Sequence, residues 1–166
     1  SRWILYKIFN LQGFNKKEKI ILIFISFGFS IYSYFETQYL EINKIEFKTC
    51  KLPKDTKKIK ILQISDLHLG PLMGMDKINL VKEVWEKEKP DLIVSTGDLV
   101  DGNMGKRNEF VEKLRELKAP LGKYAILGNH EYYRGWRQAI NFTQKAGFKI
   151  LRNEFVNVKD VLYIVG

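Results

Sequence analysis

Hydrophobic positions along the chain fall into two regimes. From Ile20 to Phe35 the sequence reads IILIFISFGFSIYSYF, apolar all round and without a charge. After Lys60 it changes to short apolar runs separated by amphipathic stretches. Ile59–Ser65, Leu92–Thr96 and Lys123–Leu127 read as buried strands. Between them, residues 76–89 set Ile78, Val81, Val84 and Trp85 at helical spacing, and residues 109–117 set Phe110, Val111, Leu114 and Leu117 on one face. Asp76 is expected to cap the first of these helices and Pro90 to stop it. Trp136–Ala146 predicts a third helix stopped by Gly147, and Phe155–Val158 with Val161–Val165 predicts a closing pair of strands. The order β-α-β-α-β-α-β-β predicts an α/β fold with a mostly parallel sheet and helices packed on it.

The N-terminal regime reads as a membrane segment. As a helix, Ile20–Phe35 rises about 24 Å, slightly less than a hydrocarbon core of about 30 Å. Lys16, Lys17 and Lys19 ahead of it and Tyr32 and Tyr34 near its end are residues that extend a span into the interface. A buried core helix is the soluble alternative, and an all-round apolar helix suits so small a chain poorly. Trp3–Phe9, interrupted by Lys7, reads as an interfacial turn or the tail of a longer segment. Lysine counts on the two sides of the span favour opposite orientations as the window widens, so the side of the membrane stays open. Residues 39–51, YLEINKIEFKTCK, alternate loosely and predict an edge strand before a turn-rich link. These patterns predict a membrane segment and linker over residues 1–52, a domain boundary near Pro53, and one domain over 53–166. Cell-membrane localisation follows from the span.

Charge changes the picture by its location. The net charge is +9, which invites a nucleic-acid reading. Residues 1–60 hold 12 Lys/Arg against 5 Asp/Glu, whereas residues 61–166 hold 16 against 14. The excess lies beside the apolar segment, where it suits anionic lipid headgroups, and no nucleic-acid partner is expected. The single Cys50 excludes an intrachain disulfide and a Cys-rich zinc module.

Candidate chemistry sits where the three predicted strands end. Ile59–Ser65 leads into Asp66-Leu67-His68, Leu92–Thr96 into Gly97-Asp98-Leu99-Val100-Asp101-Gly102, and Lys123–Leu127 into Gly128-Asn129-His130-Glu131. In a parallel sheet the carboxyl ends of the strands share one edge, so motifs far apart in sequence converge. Asp66 and His68, two residues apart at a strand end, are expected to project from the same side. Asp98 follows a glycine that leaves room for an ion, and a carboxylate can bridge two metals. Asn129 offers an amide oxygen and His130 an imidazole. A mixed nitrogen and oxygen set without thiolate suits Mn, Fe or Zn, and two such ions about 3.5–4 Å apart clamp a displacement at phosphorus. Taken singly, Gly97-Asp98, Asp101-Gly102 and Gly128-Asn129 also read as turns.

SDLH, GDLVDG and GNHE, in that order and spacing, resemble the calcineurin-like metallophosphoesterases over about residues 59–166. The N-terminal anchor and the phrases PDLIVSTGDLVDG and KAPLGKYAILGNHEYY resemble the membrane-associated branch, some of whose members hydrolyse UDP-diacylglucosamine in lipid A synthesis. The resemblance implies hydrolysis of a phosphate-ester or pyrophosphate bond, lipid-linked substrates included, by a metal-activated water. It implies two divalent metals, Mn foremost with Fe or Zn as alternatives. Asp66 and His68 would hold the first, Asp98 both, and Asn129 the second. His130 would contact the phosphate as the catalytic side chain without ligating metal, and Asp101 and Glu131 would orient their loops.

The sequence departs from that pattern in its histidines. The family carries an isolated histidine and a Gly-His-x-His pair in its second half, and His68 and His130 are the two histidines here. The chain is therefore expected to be the N-terminal half of a metallophosphoesterase α/β sandwich, preceded by a transmembrane helix. The remaining ligands are expected from a C-terminal fragment or a second chain. The alternative is a truncated or inactive phosphoesterase-like fragment serving as a membrane-tethered binding module.

Overall fold

The computed structural model describes residues 14–36, 40–54, 56, 58–70, 74–101 and 108–166. Contacts divide the chain into two units, residues 1–44 and 45–166. In the first unit, α1 spans Lys16–Glu36 (21 residues) with no buried residue. Asn15 caps it: its Oδ1 accepts from the N–H groups of Lys17 and Glu18, both at 3.0 Å, while the Glu18 carboxylate accepts from Asn15 N–H at 2.7 Å. This reciprocal capping box starts the helix ahead of the apolar run. Its 21 residues rise about 32 Å, comparable with a hydrocarbon core of about 30 Å. Ser30 donates to Ser26 O at 2.9 Å, which satisfies a hydroxyl on an otherwise apolar surface. Among the described residues this is the one helix long and apolar enough to cross a membrane. The Trp3–Phe9 segment lies outside the described residues.

The edge strand expected over 39–51 does not form. Residues 40–49 have no strand assignment, and Ile42, Ile45 and Phe47 are exposed. Tyr39 lies outside the described residues. Alternation decides which side chains share a face, but a strand also needs a partner's N–H and C=O groups. No described strand pairs with this segment.

The second unit is an α/β fold. Its elements are β1 (Ile61–Ile64), α2 (Met75–Glu88), β2 (Leu92–Ser95), α3 (Asn108–Glu116), β3 (Lys123–Ala125), α4 (Asn129–Arg134), α5 (Trp136–Lys145), β4 (Lys149–Ile150), β5 (Phe155–Val158) and β6 (Leu162–Val165). Strands β1 to β4 form one parallel sheet in sequence order, with Ile61 opposite Leu92 and Ile93 opposite Lys123. Right-handed crossovers in an order that advances one way put the connecting helices on one face. Accordingly α2 packs beside α3 and α3 beside α5. Ile64, Leu92, Ile93, Ile78, Phe110, Leu114 and Phe142 are among the buried core residues, while Ile61 on β1 stays exposed.

Three expectations change in detail. Gly74, not Asp76, is the N-cap of α2, and no side chain caps it. Asp76 lies within the first turn, where its charge complements the helix dipole instead. The closing strands β5 and β6 form their own antiparallel hairpin, separate from the main sheet. Its turn runs through Lys159 and Asp160, both at positive φ (50° and 56°), the backbone twist that a tight hairpin requires. The structure also adds α4 and β4, both too short to impose a period on the sequence.

Lys123 ties the helical layer to β3. Its Nζ donates to Leu114 O at 2.5 Å and Ala146 O at 2.7 Å, in the last turn of α3 and at the end of α5, and lies 4.5 Å from the Phe148 ring centre. An amine there answers unpaired carbonyls and the negative ends of two helices. Those contacts favour the ammonium, yet burial dominates and pushes its pKa from 10.5 down to about 8. The unfolded state then binds more protons than the folded state between those values, so the contribution of Lys123 to stability rises with pH across that window. In urea titrations of the full chain in detergent, the wild type should gain stability relative to Lys123→Met between about pH 8 and about pH 10.5, with no relative gain below that range. A constant difference across the window would contradict the burial assignment.

Candidate metal centre

The loops after β1 and β2 run side by side. Asp66 N–H donates to Gly97 O at 3.3 Å, His68 N–H to Asp98 O at 2.9 Å, Leu69 N–H to Leu99 O at 3.0 Å, and Asp101 N–H returns to Leu69 O at 2.8 Å. Leu67, Leu69, Leu99 and Val100 are fully or almost fully buried and hold these loops to the core. The apolar residues between the polar ones are the anchor that lets Asp66 and His68 face outward.

Asp66 and His68 do not reach that side by continuing the strand, as the two-residue period implied. β1 ends at Ile64, and Asp66 and His68 adopt left-handed backbone conformations with φ of 54° and 47°. Asp98 does the same with φ 51°. Such conformations cost about 1–3 kcal/mol each in non-glycine residues and persist where surrounding contacts fix them. Here the inter-loop hydrogen bonds do so. Ser65 Oγ also donates to the Asp66 carboxylate. This neighbour contact was not singled out in the sequence, and its signal was only adjacency.

Two glycines let the second and third loops touch. Gly97 has φ +107°, and a Cβ there would lie 2.9 Å from Gly128 Cα and N. Gly128 has ordinary extended dihedrals, but a Cβ there would come within 2.6 Å of Asp98 N. Gly97 is thus needed for both conformation and space, and Gly128 for space alone.

Glu131 locks the contact. It is 2% exposed, and its carboxylate accepts from Asp98 N–H (3.1 Å), Val100 N–H (3.1 Å) and Gly128 N–H (2.8 Å). His130 N–H donates to Asp98 Oδ1 at 2.9 Å, so Asp98 is held from both sides. The His130 ring meets Asp101 through Nδ1 at 3.2 Å and lies edge-on to His68, with ring centres 4.4 Å apart. Because a carboxylate accepts, Nδ1 carries the proton toward Asp101 and Nε2 is left for a ligand. Asn129 is exposed as the first residue of α4, between Gly128 and His130, both of which contact Asp98.

Two donor groups result. Asp66, His68 and Asp98 bring one ligand atom each within 4.8 Å of one another, and so do His68, Asp101 and His130. His68 Nε2 and Asp66 Oδ1 are 3.9 Å apart, too far for a hydrogen bond. Two ligands each about 2.1 Å from a common ion lie up to about 4.2 Å apart, so the spacing fits a shared divalent cation. Carboxylate oxygen with imidazole nitrogen is a donor set for such an ion.

Comparison with known proteins places this geometry in context. Residues 59–166 match the family model described as calcineurin-like phosphoesterase. An uncharacterized metallophosphoesterase of Aquifex aeolicus is 49% identical over 144 residues, covering 87% of this chain and 55% of that protein. One from Helicobacter pylori is 30% identical over 158 residues, covering 92% of this chain and 43% of its own length. A transmembrane protein with metallophosphoesterase domain from Danio rerio is 30% identical over 118 residues, 69% of this chain and 26% of that protein. The chain thus spans about half the length of its bacterial relatives. With three strand-end motifs gathered on one edge and the family match running across all of them, the chain belongs to the calcineurin-like phosphoesterases.

Proposed function

We propose that the protein is a membrane-anchored, metal-dependent phosphoesterase acting on phosphate-ester or pyrophosphate bonds of lipid-linked or envelope substrates, UDP-diacylglucosamine among them. The observation that carries this reading is the convergence of Asp66, His68 and Asp98 on one point at the sheet edge. Family membership supports phosphoester chemistry. The apolar helix α1 and the transmembrane relatives support the anchor and a membrane substrate.

Asp66 and His68 would hold a first divalent cation, Asp98 would reach both, and Asn129 would serve the second. Manganese is the first candidate, with iron or zinc as alternatives. Divalent ions there supply Lewis acidity toward a phosphoryl oxygen. The chain's own residues do the positioning. Asp101 holds the His130 ring through Nδ1, and in the doubly protonated ring the Nε2–H would donate to a phosphate oxygen or protonate the leaving oxygen. Glu131 keeps the loop bearing Asp98 against the turn bearing His130.

A second reading is favoured by the donor count. Asp98 and Asn129 alone make a sparse second site, and the two histidines of this sequence are already used. On that reading the chain is an inactive, membrane-tethered binding module. The enzyme reading instead takes further ligands from a longer product or a second chain, in keeping with relatives about twice as long.

Hydrolysis of bis(p-nitrophenyl) phosphate with excess manganese separates these readings. Turnover by the chain, or by a downstream-extended version, supports the enzyme. Inert chains of both lengths that bind no metal would sink it. Metal content assigns the roles: Asp98→Ala should lose bound metal, whereas His130→Ala should retain it and lose about 10²–10⁴-fold in turnover. Because His130 also lies in a donor group with His68 and Asp101, loss of metal in His130→Ala would make it a ligand instead.

A further inference from the structure

Beyond the metal centre, α4 leads into an exposed aromatic and cationic patch. Tyr132 is 51% exposed, Tyr133 80% and Trp136 39%. Gly135, at φ +118°, turns the chain between α4 and α5 and places Trp136 at the start of α5. Two guanidinium groups lie against that single indole: Arg137 at 5.2 Å and Arg152 at 5.4 Å from the ring centre. Both arginines are exposed, and among the described residues neither forms an ion pair with a carboxylate.

Two like charges on one ring repel each other, and the indole offsets that only in part. With neither arginine ion-paired to a carboxylate among the described residues, the patch complements an external anion. Exposed tyrosine and tryptophan beside arginine is also the chemistry of a membrane interface, where amphipathic rings sit at the headgroup level and cations meet anionic lipid. The chain carries a candidate span, so a lipid surface is at hand for this unit.

We infer that Tyr132, Tyr133, Trp136, Arg137 and Arg152 form a docking surface for anionic lipid headgroups. The inference rests on the reading of α1 as a membrane anchor. It deepens the proposed function, because the patch follows directly from the metal centre. Asn129 and His130 begin α4, and its six residues rise only about 9 Å. A domain docked by this patch holds its centre beside the headgroup layer, where lipid-borne phosphates lie.

The test uses the full chain in nanodiscs containing brominated lipid, with tryptophan fluorescence as readout. Trp3 and Trp85 contribute to every sample, so the signal is the quenching of wild type beyond that of Trp136→Phe. With phosphatidylglycerol present at low salt, that excess should be clear. It should be lost in phosphatidylcholine alone, in high salt, and in the Arg137→Glu/Arg152→Glu variant. The wild type alone, moved between the two lipids, makes the same comparison without relying on a variant that folds. Equal quenching of wild type and Trp136→Phe in anionic nanodiscs would overturn the inference. So would a double variant that keeps the excess quenching. An altered KM for a soluble phosphate ester without excess quenching would reassign the arginines to the substrate's own anion and overturn the docking surface. Excess quenching in a chain that hydrolyses nothing would retain the docking surface and reject the phosphoesterase reading. Hydrolysis without excess quenching would do the reverse.

Discussion

The edge of this sheet depends on the burial of one carboxylate. Glu131 lies in the interior, and its two oxygens meet three backbone N–H groups from two segments about thirty residues apart. A carboxylate taken out of water without partners is strongly unfavourable, and backbone donors buried without acceptors are unfavourable as well. Each solves the other's problem only when the loop after β2 and the turn after β3 are in contact. The pairing therefore works as a condition on geometry. It is satisfied in one arrangement, and that arrangement places Asp98 beside the His130 backbone.

Close contact at that point also needs the absence of side chains. Gly97 and Gly128 meet where any Cβ would overlap backbone. The glycines permit the approach, and Glu131 holds it. The left-handed conformations of Asp66, His68 and Asp98 belong to the same economy of space: Asp66 and His68 reach solvent and Asp98 reaches the His130 backbone, while Leu67, Leu69 and Leu99 stay in the core. Local backbone strain is thus set against apolar burial on alternate residues of the same loops. In a centre built this way the protein's own hydrogen bonds hold Asp98 in place, which limits the reorganisation that ion binding must drive.

Which parts were legible in sequence follows from the range of the forces involved. Strands and helices of unit 45–166 showed through the hydrophobic period, because burial against a sheet acts on every turn of α2, α3 and α5. The convergence of the three motifs was legible too, since parallel topology brings strand ends to one edge whatever the side chains. The failures lie where period carries no information. Residues 40–49 alternate as a strand does but meet no partner in the described structure. The Asp66 and His68 directions come from positive φ angles, which a two-residue period does not encode. Gly74 replaces Asp76 as the N-cap because an offset of two residues decides whether a side chain reaches the free N–H groups. Lys123 looked like the polar start of a strand, yet it bonds to the ends of two helices whose carbonyls come together only in the folded layer.

The short helix α4 shows why a four-residue motif can carry several tasks. Successive residues of a helix point about 100° apart, so Asn129, His130 and Glu131 face three different surroundings: exposed, half-buried and buried. The outermost is free for a ligand, the middle one reaches Asp101, and the innermost closes on the backbone of the neighbouring loop. In an extended strand end, Asn129 and Glu131 would share a side, and the carboxylate that organises the loops would compete with the amide for the same space. The helical turn resolves that conflict. It also directs the chain through Tyr132 and Tyr133 toward Trp136, so the element that completes the centre presents the aromatic surface next to it.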